Sequence, residues 1–288
     1  MTINKKLSIA VCQFPVTGNI AKNSRYIRGF IRKAAAHQAE IIQFPETSLC
    51  GWGKWNNPAF KKFDFAALRR ETSEIRRLAA EKKIWVILGS VHRLDTDFKP
   101  TNCLYVINNH GRIVDRYDKC WLTKTNDEIN SFSPGDRLTT FKVGGVKCGL
   151  MICADGNYLQ MFNAYAHLGV DLLFYSSGHA GFKNDVWKID QTSVFFLAGY
   201  YRMWIAVSNS SSRYSGLVAC LGNPNGVGSI AKTLKRHETG IFYYDFTNSS
   251  FIRPGYQKAM LAKLHPREIF HNGKPSRHPR ALNRRSLP

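Results

Sequence analysis

The amino-acid sequence predicts a protein of the α/β class, in which strands and helices alternate along a single domain. Three observations support this prediction. Residues 7–14 alternate in the way typical of a strand. Residues 23–37 place their apolar side chains on one face, as an amphipathic helix does. Residues 84–91 form a continuous apolar run of the kind found in strands that are buried on both faces.

The remaining elements follow in order. Short apolar runs bounded by turn residues predict strands, and apolar residues at helical spacing predict helices. The N-N-H-G and Gly-Gly turns predict two hairpins, because such turns join antiparallel strands. Strands are predicted at residues 41–44, 102–108, 112–117, 138–143, 146–152, 171–175, 203–208, 217–221, 228–233 and 240–246. Helices are predicted at residues 65–82, 158–167 and 186–200.

The domain is predicted to span residues 1–265, because no linker or internal repeat divides this part of the chain. Residues 266–288 are rich in Pro, Arg, Asn and Ser, which predicts a basic C-terminal arm that is extended or partly disordered.

Composition excludes several classes of protein. No apolar run approaches the roughly 18 residues that a membrane span requires. The apolar run near the N-terminus is too short for a signal peptide, and no cleavage site follows it. The seven cysteines form no C-x-x-C pair, and the nine histidines form no H-E-x-x-H motif. We therefore expect a reducing, cytoplasmic location, with neither disulfides nor a metal.

The net charge of +21 is unusual. It is compatible with an anionic partner, such as nucleic acid, or with an anionic substrate. The simpler interpretation, which we favour, is a solvated basic surface that aids solubility. The sequence contains no recognisable nucleic-acid-binding motif, so a nucleic-acid partner stays only an alternative.

A thiol at a strand end is the first candidate for chemistry. Residues 146–152 alternate as a strand, A-D-G-N at 154–157 is a turn sequence, and a helical pattern begins at Tyr158. Cys153 stands at this corner. Backbone N–H groups at the start of a helix can lower the pKa of such a thiol and can bind an oxyanion. A buried structural cysteine is the alternative interpretation.

Three charged residues also lie at or near predicted strand ends. Glu46 follows an apolar strand and a proline, Lys119 follows residues 112–117, and Glu128 lies in a loop-like run. Singly, each is more readily interpreted as a solvated surface or helix-capping residue than as a catalytic one.

Together, the four residues resemble the carbon–nitrogen hydrolase (nitrilase) superfamily. The segments F-P-E-T-S-L-C-G-W, R-Y-D-K-C-W-L, E-I-N-S-F-S-P-G-D and G-L-M-I-C-A-D-G-N-Y look like four sequence blocks of that family and occur in the family's order. The resemblance implies that Glu46 is the general base, Lys119 the electrostatic stabiliser, Glu128 a supporting glutamate and Cys153 the nucleophile.

The resemblance also implies a fold and an activity. The fold would be a four-layer α-β-β-α sandwich, with the site at the carboxyl ends of its strands. The activity would be hydrolysis of a small linear amide or N-carbamoyl compound through a cysteine thioester, without a cofactor. The family usually forms homodimers through helices near the nucleophile, and its C-terminal arm often reaches the partner.

The substrate is not determined by the sequence. The segment D-G-N-Y after Cys153 is similar to the aliphatic amidase and formamidase branch, although Ala154 replaces an aspartate of that branch. The Ala154 N–H would help to bind the oxyanion. The candidate pocket residues are Trp52, Trp121, Tyr175 and His179, each of which could instead serve packing. An acyltransferase that uses the same thioester, and a polyanion-binding protein on an amidase scaffold, are the alternatives.

Overall fold

The structure is a computed structural model, which describes residues 6–51, 63–95, 98–123, 128–178, 191–211, 217–225, 229–251 and 276–288. The strands are β1 (Leu7–Phe14), β2 (Ile41–Gln43), β3 (Trp85–His92), β4 (Thr101–Ile107), β5 (Ile113–Asp118), β6 (Thr140–Val143), β7 (Val146–Ile152), β8 (Leu172–Ser176), β9 (Trp204–Ser210), β10 (Cys220–Asn223), β11 (Ser229–Thr233) and β12 (Gly240–Phe246). The helices are α1 (Ile20–Ala36), α2 (Phe65–Lys82), α3 (Glu128–Ser131), α4 (Leu159–His167), α5 (Gln191–Tyr201) and α6 (Pro279–Leu282). In this part of the chain, no helix has the length and apolar character that crossing a bilayer requires.

The strands pair in the order β5-β4-β3-β2-β1-β9-β8-β7-β6. Strand β1 joins two sheets: it pairs with β12 along most of its length, with β2 through residues 9–11 and with β9 only through its last two residues. Strands β1, β2 and β3 are parallel, as are β7, β8 and β9. Strand β5 runs in the same direction as β3, because both are antiparallel to β4. The carboxyl ends of β2, β5, β7 and β8 therefore point the same way.

The alternation of β1 shows how the layers form. Leu7, Ile9 and Val11 lie in a core shared with the second sheet, whose members include Leu150 and Phe174. The side chains between them, Ala10, Cys12 and Phe14, face a second core against α1 and α2. Side chains of α4 and α5 cover the second sheet. This is the predicted four-layer α-β-β-α sandwich, because a sheet buried on both faces needs an apolar partner on each.

Most predicted elements are confirmed, and β1, β12 and α2 have the predicted bounds. Helix α1 begins at Ile20, earlier than predicted, because the Asn19 side chain caps it by accepting from Lys22 N at 2.9 Å. Strand β10 begins later than the predicted 217–221, since its backbone pairs with β9 and β11 only from Cys220 onward. The short helix α3 was not predicted, because it lies in a run typical of a loop.

The end of the C-terminal arm, residues 276–288, folds back onto its own chain. The buried guanidinium of Arg116 on β5 donates to the carbonyls of Ala281 (2.8 Å) and Asn283 (3.1 Å), and it pairs with Asp118 at 2.8 Å. The imidazole of His92 lies 3.1 Å from the Arg280 carbonyl. A buried charge needs such partners, so this end of the arm completes the hydrogen bonding of β5. Residues 266–275 of the predicted arm lie outside the described residues.

Arg116→Lys is expected to lower the free energy of unfolding by about 2–3 kcal/mol, because an ammonium cannot reproduce the forked hydrogen bonds of the guanidinium. Chemical denaturation measures this loss. Arg137→Lys is the matched control, since Arg137 is 48% exposed and should change stability by less than about 0.5 kcal/mol. Equal losses in the two variants would contradict the anchoring role of Arg116.

Candidate active site

The shared direction of the strands brings the predicted catalytic residues to one edge of the fold. Glu46 follows β2, Lys119 follows β5 and Cys153 follows β7, while Glu128 begins α3. These residues are far apart in sequence and come together only because the carboxyl ends of β2, β5 and β7 meet at this edge. The structure thus unites all four.

Lys119 lies between the two carboxylates. Its Nζ donates to Glu46 Oε1 at 2.9 Å and to Glu128 Oε1 and Oε2 at 2.8 and 2.9 Å. All three residues are buried. We call Glu46, Lys119 and Glu128 the charged cluster. Ion pairs withdrawn from water in this way are costly unless their remaining donors and acceptors are bonded.

Other groups complete the hydrogen bonding of the charged cluster, and the sequence patterns did not indicate them as site residues. Asn102 Nδ2 donates to Glu46 Oε1 at 2.8 Å and to Glu128 Oε1 at 3.1 Å. The backbone N–H and the hydroxyl of Thr123 donate to Glu128 Oε2, at 2.9 and 3.0 Å. Gly178 N donates to Glu46 Oε2 at 2.8 Å. One signal was available, since Asn102 is a polar residue at the start of the largely apolar strand predicted at residues 102–108.

Burial and charge act in opposite directions on the charged cluster. Burial raises the pKa of Glu46, although the ammonium of Lys119 opposes the shift. Burial by itself would lower the pKa of Lys119, but the carboxylates of Glu128 and Glu46 outweigh it and hold that pKa well above its usual value. These shifts favour the ammonium form of Lys119 and increase the proton affinity of the Glu46 carboxylate.

The backbone at Cys153 makes a sharp turn. Its φ of 42° lies in the left-handed region, which costs a non-glycine residue about 1–3 kcal/mol. A 3₁₀ helix, Cys153–Asn157, begins at this residue. The Tyr175 hydroxyl donates to the Cys153 carbonyl at 2.7 Å, which holds the turn in place. Strand, turn and helix follow one another as the sequence predicts.

Cys153 differs from the other six cysteines, all of which are buried, because it is partly exposed. The expectation of a lowered thiol pKa is wrong, since burial, reinforced by the carboxylate of Glu46, raises the pKa to about 12 against the opposing charge of Lys119. The side chain of Ser177 hydrogen-bonds the thiol. The sulfur is therefore a neutral thiol at rest, and it needs a base at the moment of reaction.

The predicted pocket residues take different positions. The Trp121 ring stacks on Tyr158 with centroids 3.5 Å apart, and its Nε1 is buried without a hydrogen-bond partner among the described residues. The hydroxyl of Tyr175 donates to the Cys153 carbonyl, so Tyr175 stabilises the turn. Ala154 lies in the first turn of the 3₁₀ helix, where N–H groups have no partner within the helix. Trp52 and His179 lie outside the described residues.

Comparison of the sequence with models of known protein families identifies the family to which the chain belongs. The family model for carbon-nitrogen hydrolases matches residues 8–246, which is most of the chain and includes the charged cluster and Cys153. The chain belongs to the carbon–nitrogen hydrolase family. The family resemblance seen in the sequence is thereby confirmed.

Several curated proteins are similar to this carbon–nitrogen hydrolase. The human omega-amidase NIT2 is 28% identical over 174 residues, which cover 58% of this chain and 62% of that protein. The 2-oxoglutaramate amidase of Bacillus subtilis is 26% identical over 185 residues, covering 64% and 69%. The bovine deaminated glutathione amidase is 29% identical over 196 residues, covering 59% and 55%. The chain thus matches little more than half to two thirds of each relative's length.

Solved structures share the fold. An amidase from Nesterenkonia superposes with a TM-score of 0.73 at 18% identity, covering 90% of this chain and 97% of that one. A glutamine-dependent NAD⁺ synthetase from Acinetobacter baumannii superposes with a TM-score of 0.71 at 20% identity, covering 90% of this chain and 51% of that one. These likenesses confirm the nitrilase-like sandwich.

Proposed function

We propose that the protein is a thiol-dependent amidohydrolase that cleaves the C–N bond of a small linear amide and releases ammonia or an amine. The observation that supports this most is the buried Lys119, which contacts both glutamates within electrostatic reach of the one partly exposed cysteine. The family match and the amidase relatives support the same reaction class.

In the first half-reaction, the Cys153 sulfur forms a bond to the amide carbon while its proton passes to Glu46. The high pKa of the thiol makes this transfer concerted with attack, because little thiolate exists beforehand. The carbonyl π electrons move onto oxygen, and the oxyanion is stabilised by the Lys119 ammonium and the Ala154 N–H. Glu46 then protonates the leaving nitrogen, the C–N bond breaks, and a thioester remains.

In the second half-reaction, Glu46 accepts a proton from a water molecule that attacks the thioester carbon. The tetrahedral intermediate collapses, the C–S bond breaks, and the sulfur recovers its proton from Glu46. Glu128 keeps Lys119 in position throughout, because both of its oxygens contact Nζ. The nucleophile, base and cation all come from the chain, so the proposed cycle needs no cofactor.

The substrate class proposed is an amide that also has a carboxylate. Two of the similar amidases are named for 2-oxoglutaramate and deaminated glutathione, which are both carboxylate-containing amides. The net charge of +21 would attract such anions. We therefore expect kcat/KM for anionic amides to fall as ionic strength rises, because salt screens this attraction.

An ammonia-release screen tests the proposal. It compares ω-amides of dicarboxylic acids, uncharged aliphatic amides, N-carbamoyl compounds and nitriles, with the Cys153→Ala protein as the blank. Release from at least one amide above the blank is expected. Adding hydroxylamine distinguishes acyl transfer, since a hydroxamate then forms from the thioester. If no amide or carbamoyl compound reacts and the protein shifts nucleic acid in a salt-dependent way, the polyanion-binding alternative replaces the proposal.

Glu46→Gln is expected to lower kcat by about 10²–10⁴-fold, because glutamine cannot accept the thiol proton. Steady-state kinetics on the best amide of the screen measures this loss. Glu40→Gln is the matched control, since Glu40 is exposed and its carboxylate accepts a hydrogen bond from Ser8 N, away from the charged cluster. A kcat for Glu46→Gln within threefold of the control would remove the base assignment.

We also propose that the protein forms a homodimer through α4 and α5. Leu159, Phe196 and Tyr200 on these helices are more than half exposed. The sequence of α5, Q-T-S-V-F-F-L-A-G-Y-Y, contains no charged residue, and an apolar helix of this kind is normally covered. Two copies of a strongly basic chain repel each other, and this repulsion is weakest where the facing surfaces are uncharged. The uncharged surface of α5 is therefore favoured as the interface. Analytical ultracentrifugation distinguishes the dimer from the 32.7 kDa monomer.

A cytoplasmic location is proposed from the thiols. All seven cysteines are free, and six of them are buried as apolar side chains. Free thiols of this number are typical of a reducing compartment.

A further inference from the structure

The carboxylate of Asp155 has no part in the reaction cycle, yet it is buried beside the site. Asp155 is the third residue of the 3₁₀ helix that begins at Cys153. Its Oδ1 accepts from Trp121 N at 2.8 Å. Its Oδ2 accepts from the Tyr117 hydroxyl at 2.7 Å and from Ile152 N at 3.0 Å.

The positions of these donors are informative. Tyr117 and Trp121 stand two residues before and two residues after Lys119, and Ile152 directly precedes Cys153. Strand β5 pairs with β4, and β7 pairs with β6 and β8, so no backbone ladder joins β5 directly to β7 or sets the separation between Lys119 and Cys153. The single carboxylate of Asp155 accepts hydrogen bonds from both segments.

We propose that Asp155 is a positioning residue, whose carboxylate holds the turn of Cys153 at a defined distance from Lys119 during amide hydrolysis. This inference rests on the proposed function. Three N–H or O–H donors converge on two carboxylate oxygens, an arrangement that an anion accepts and a neutral amide cannot fully reproduce. Burial raises the pKa of Asp155 to about 6, so the anion still predominates at neutral pH.

The experiment uses Asp155→Asn, Tyr117→Phe and their double variant. Asparagine presents an NH₂ group toward Ile152 N or Trp121 N, which are donors themselves, so the turn must shift. Tyr165→Phe is the matched control, because the Tyr165 hydroxyl is also buried and bonds β7, at the Leu150 carbonyl, rather than Asp155. Each protein is measured for Tm, for kcat and KM on the best amide, and for the rate at which iodoacetamide alkylates Cys153.

For Asp155→Asn we expect kcat to fall 30- to 300-fold with KM changed less than threefold, and alkylation to slow at least tenfold. Tyr117→Phe should lower kcat 5- to 20-fold, and the double variant should stay within threefold of Asp155→Asn, because both changes break the same contact. Tyr165→Phe should lower Tm but keep kcat within threefold of the wild type.

Two results would overturn the inference. One is an Asp155→Asn protein that loses Tm but keeps wild-type kcat and alkylation rate, which would make the role purely structural. The other concerns Tyr117→Phe and decides the question if Asp155→Asn does not fold. If kcat and the alkylation rate of Tyr117→Phe match those of Tyr165→Phe, the role of Asp155 is again purely structural. Wild-type protein that hydrolyses no amide would refute the proposed function separately, and slower alkylation in Asp155→Asn would then still support the positioning of the turn.

Discussion

Replacing Cys153 with alanine is expected to abolish amide hydrolysis, with kcat reduced by roughly 10⁴-fold or more. The reason is that no other group in the proposed cycle can form the covalent intermediate. The charged cluster is expected to stay intact in this variant, because the hydrogen bonds from Lys119 to Glu46 and Glu128 do not involve the sulfur. Ammonia release, followed over a long incubation, measures the residual rate.

Cys148→Ala is the matched control for this variant. Cys148 lies on β7, five positions before Cys153, and is fully buried in the core between the sheets. Its loss should lower the unfolding free energy by about 1 kcal/mol and leave kcat within about threefold. Residual hydrolysis by Cys153→Ala above about 1% of wild type would remove Cys153 as the nucleophile.

Replacing Lys119 with methionine is expected to lower kcat by at least about 10³-fold, because the oxyanion loses its cation. The same change should destabilise the fold by about 3–5 kcal/mol at pH 8, since it leaves buried carboxylates without their counter-ion. Kinetics and denaturant unfolding on one preparation measure both effects. Lys147→Met is the control: Lys147 Nζ donates to the Leu168 carbonyl and lies away from the charged cluster.

The stability loss in Lys119→Met should depend on pH with a definite sign. Without the ammonium, the pKa of Glu46, which burial already raises, rises further. A carboxyl group whose pKa is higher in the folded than in the unfolded state makes the protein most stable at low pH, and this stability is lost as pH rises through the folded pKa. The variant should therefore lie closer to wild type at pH 5 than at pH 8. A difference that grows toward acid would contradict the buried ion pair.

The elements of secondary structure were largely predictable, because apolar periodicity is a local property of the chain. The bounds of β1 and β12 follow from alternation alone, and the turn at Cys153 follows from A-D-G-N after an apolar strand. What alternation does not specify is the pairing between distant strands. Glu46, Lys119 and Cys153 were therefore weak candidates singly, and only the order of four family-like blocks grouped them.

The hydrogen bonds that hold the site together could not be predicted either, because they join residues that are distant in sequence. Asn102 is a polar residue near the start of β4, and nothing local indicates that its amide contacts two glutamates. The arm that ends at residue 288 has a composition typical of disorder, yet its backbone carbonyls accept hydrogen bonds from the buried guanidinium of Arg116 on β5. That guanidinium lies more than 100 positions away in sequence, beyond the reach of any periodic pattern.

The sequence by itself determined the α/β class, the order of most strands and helices, and the residue types on which the proposed chemistry depends. The tertiary structure alone decided how those residues behave. It buried Lys119 between two carboxylates, and it raised the pKa of Cys153 where a strand-to-helix turn predicts the opposite. The physical reason is that desolvation and Coulomb energy depend on distances through space, which the chain acquires only when its two sheets pack together.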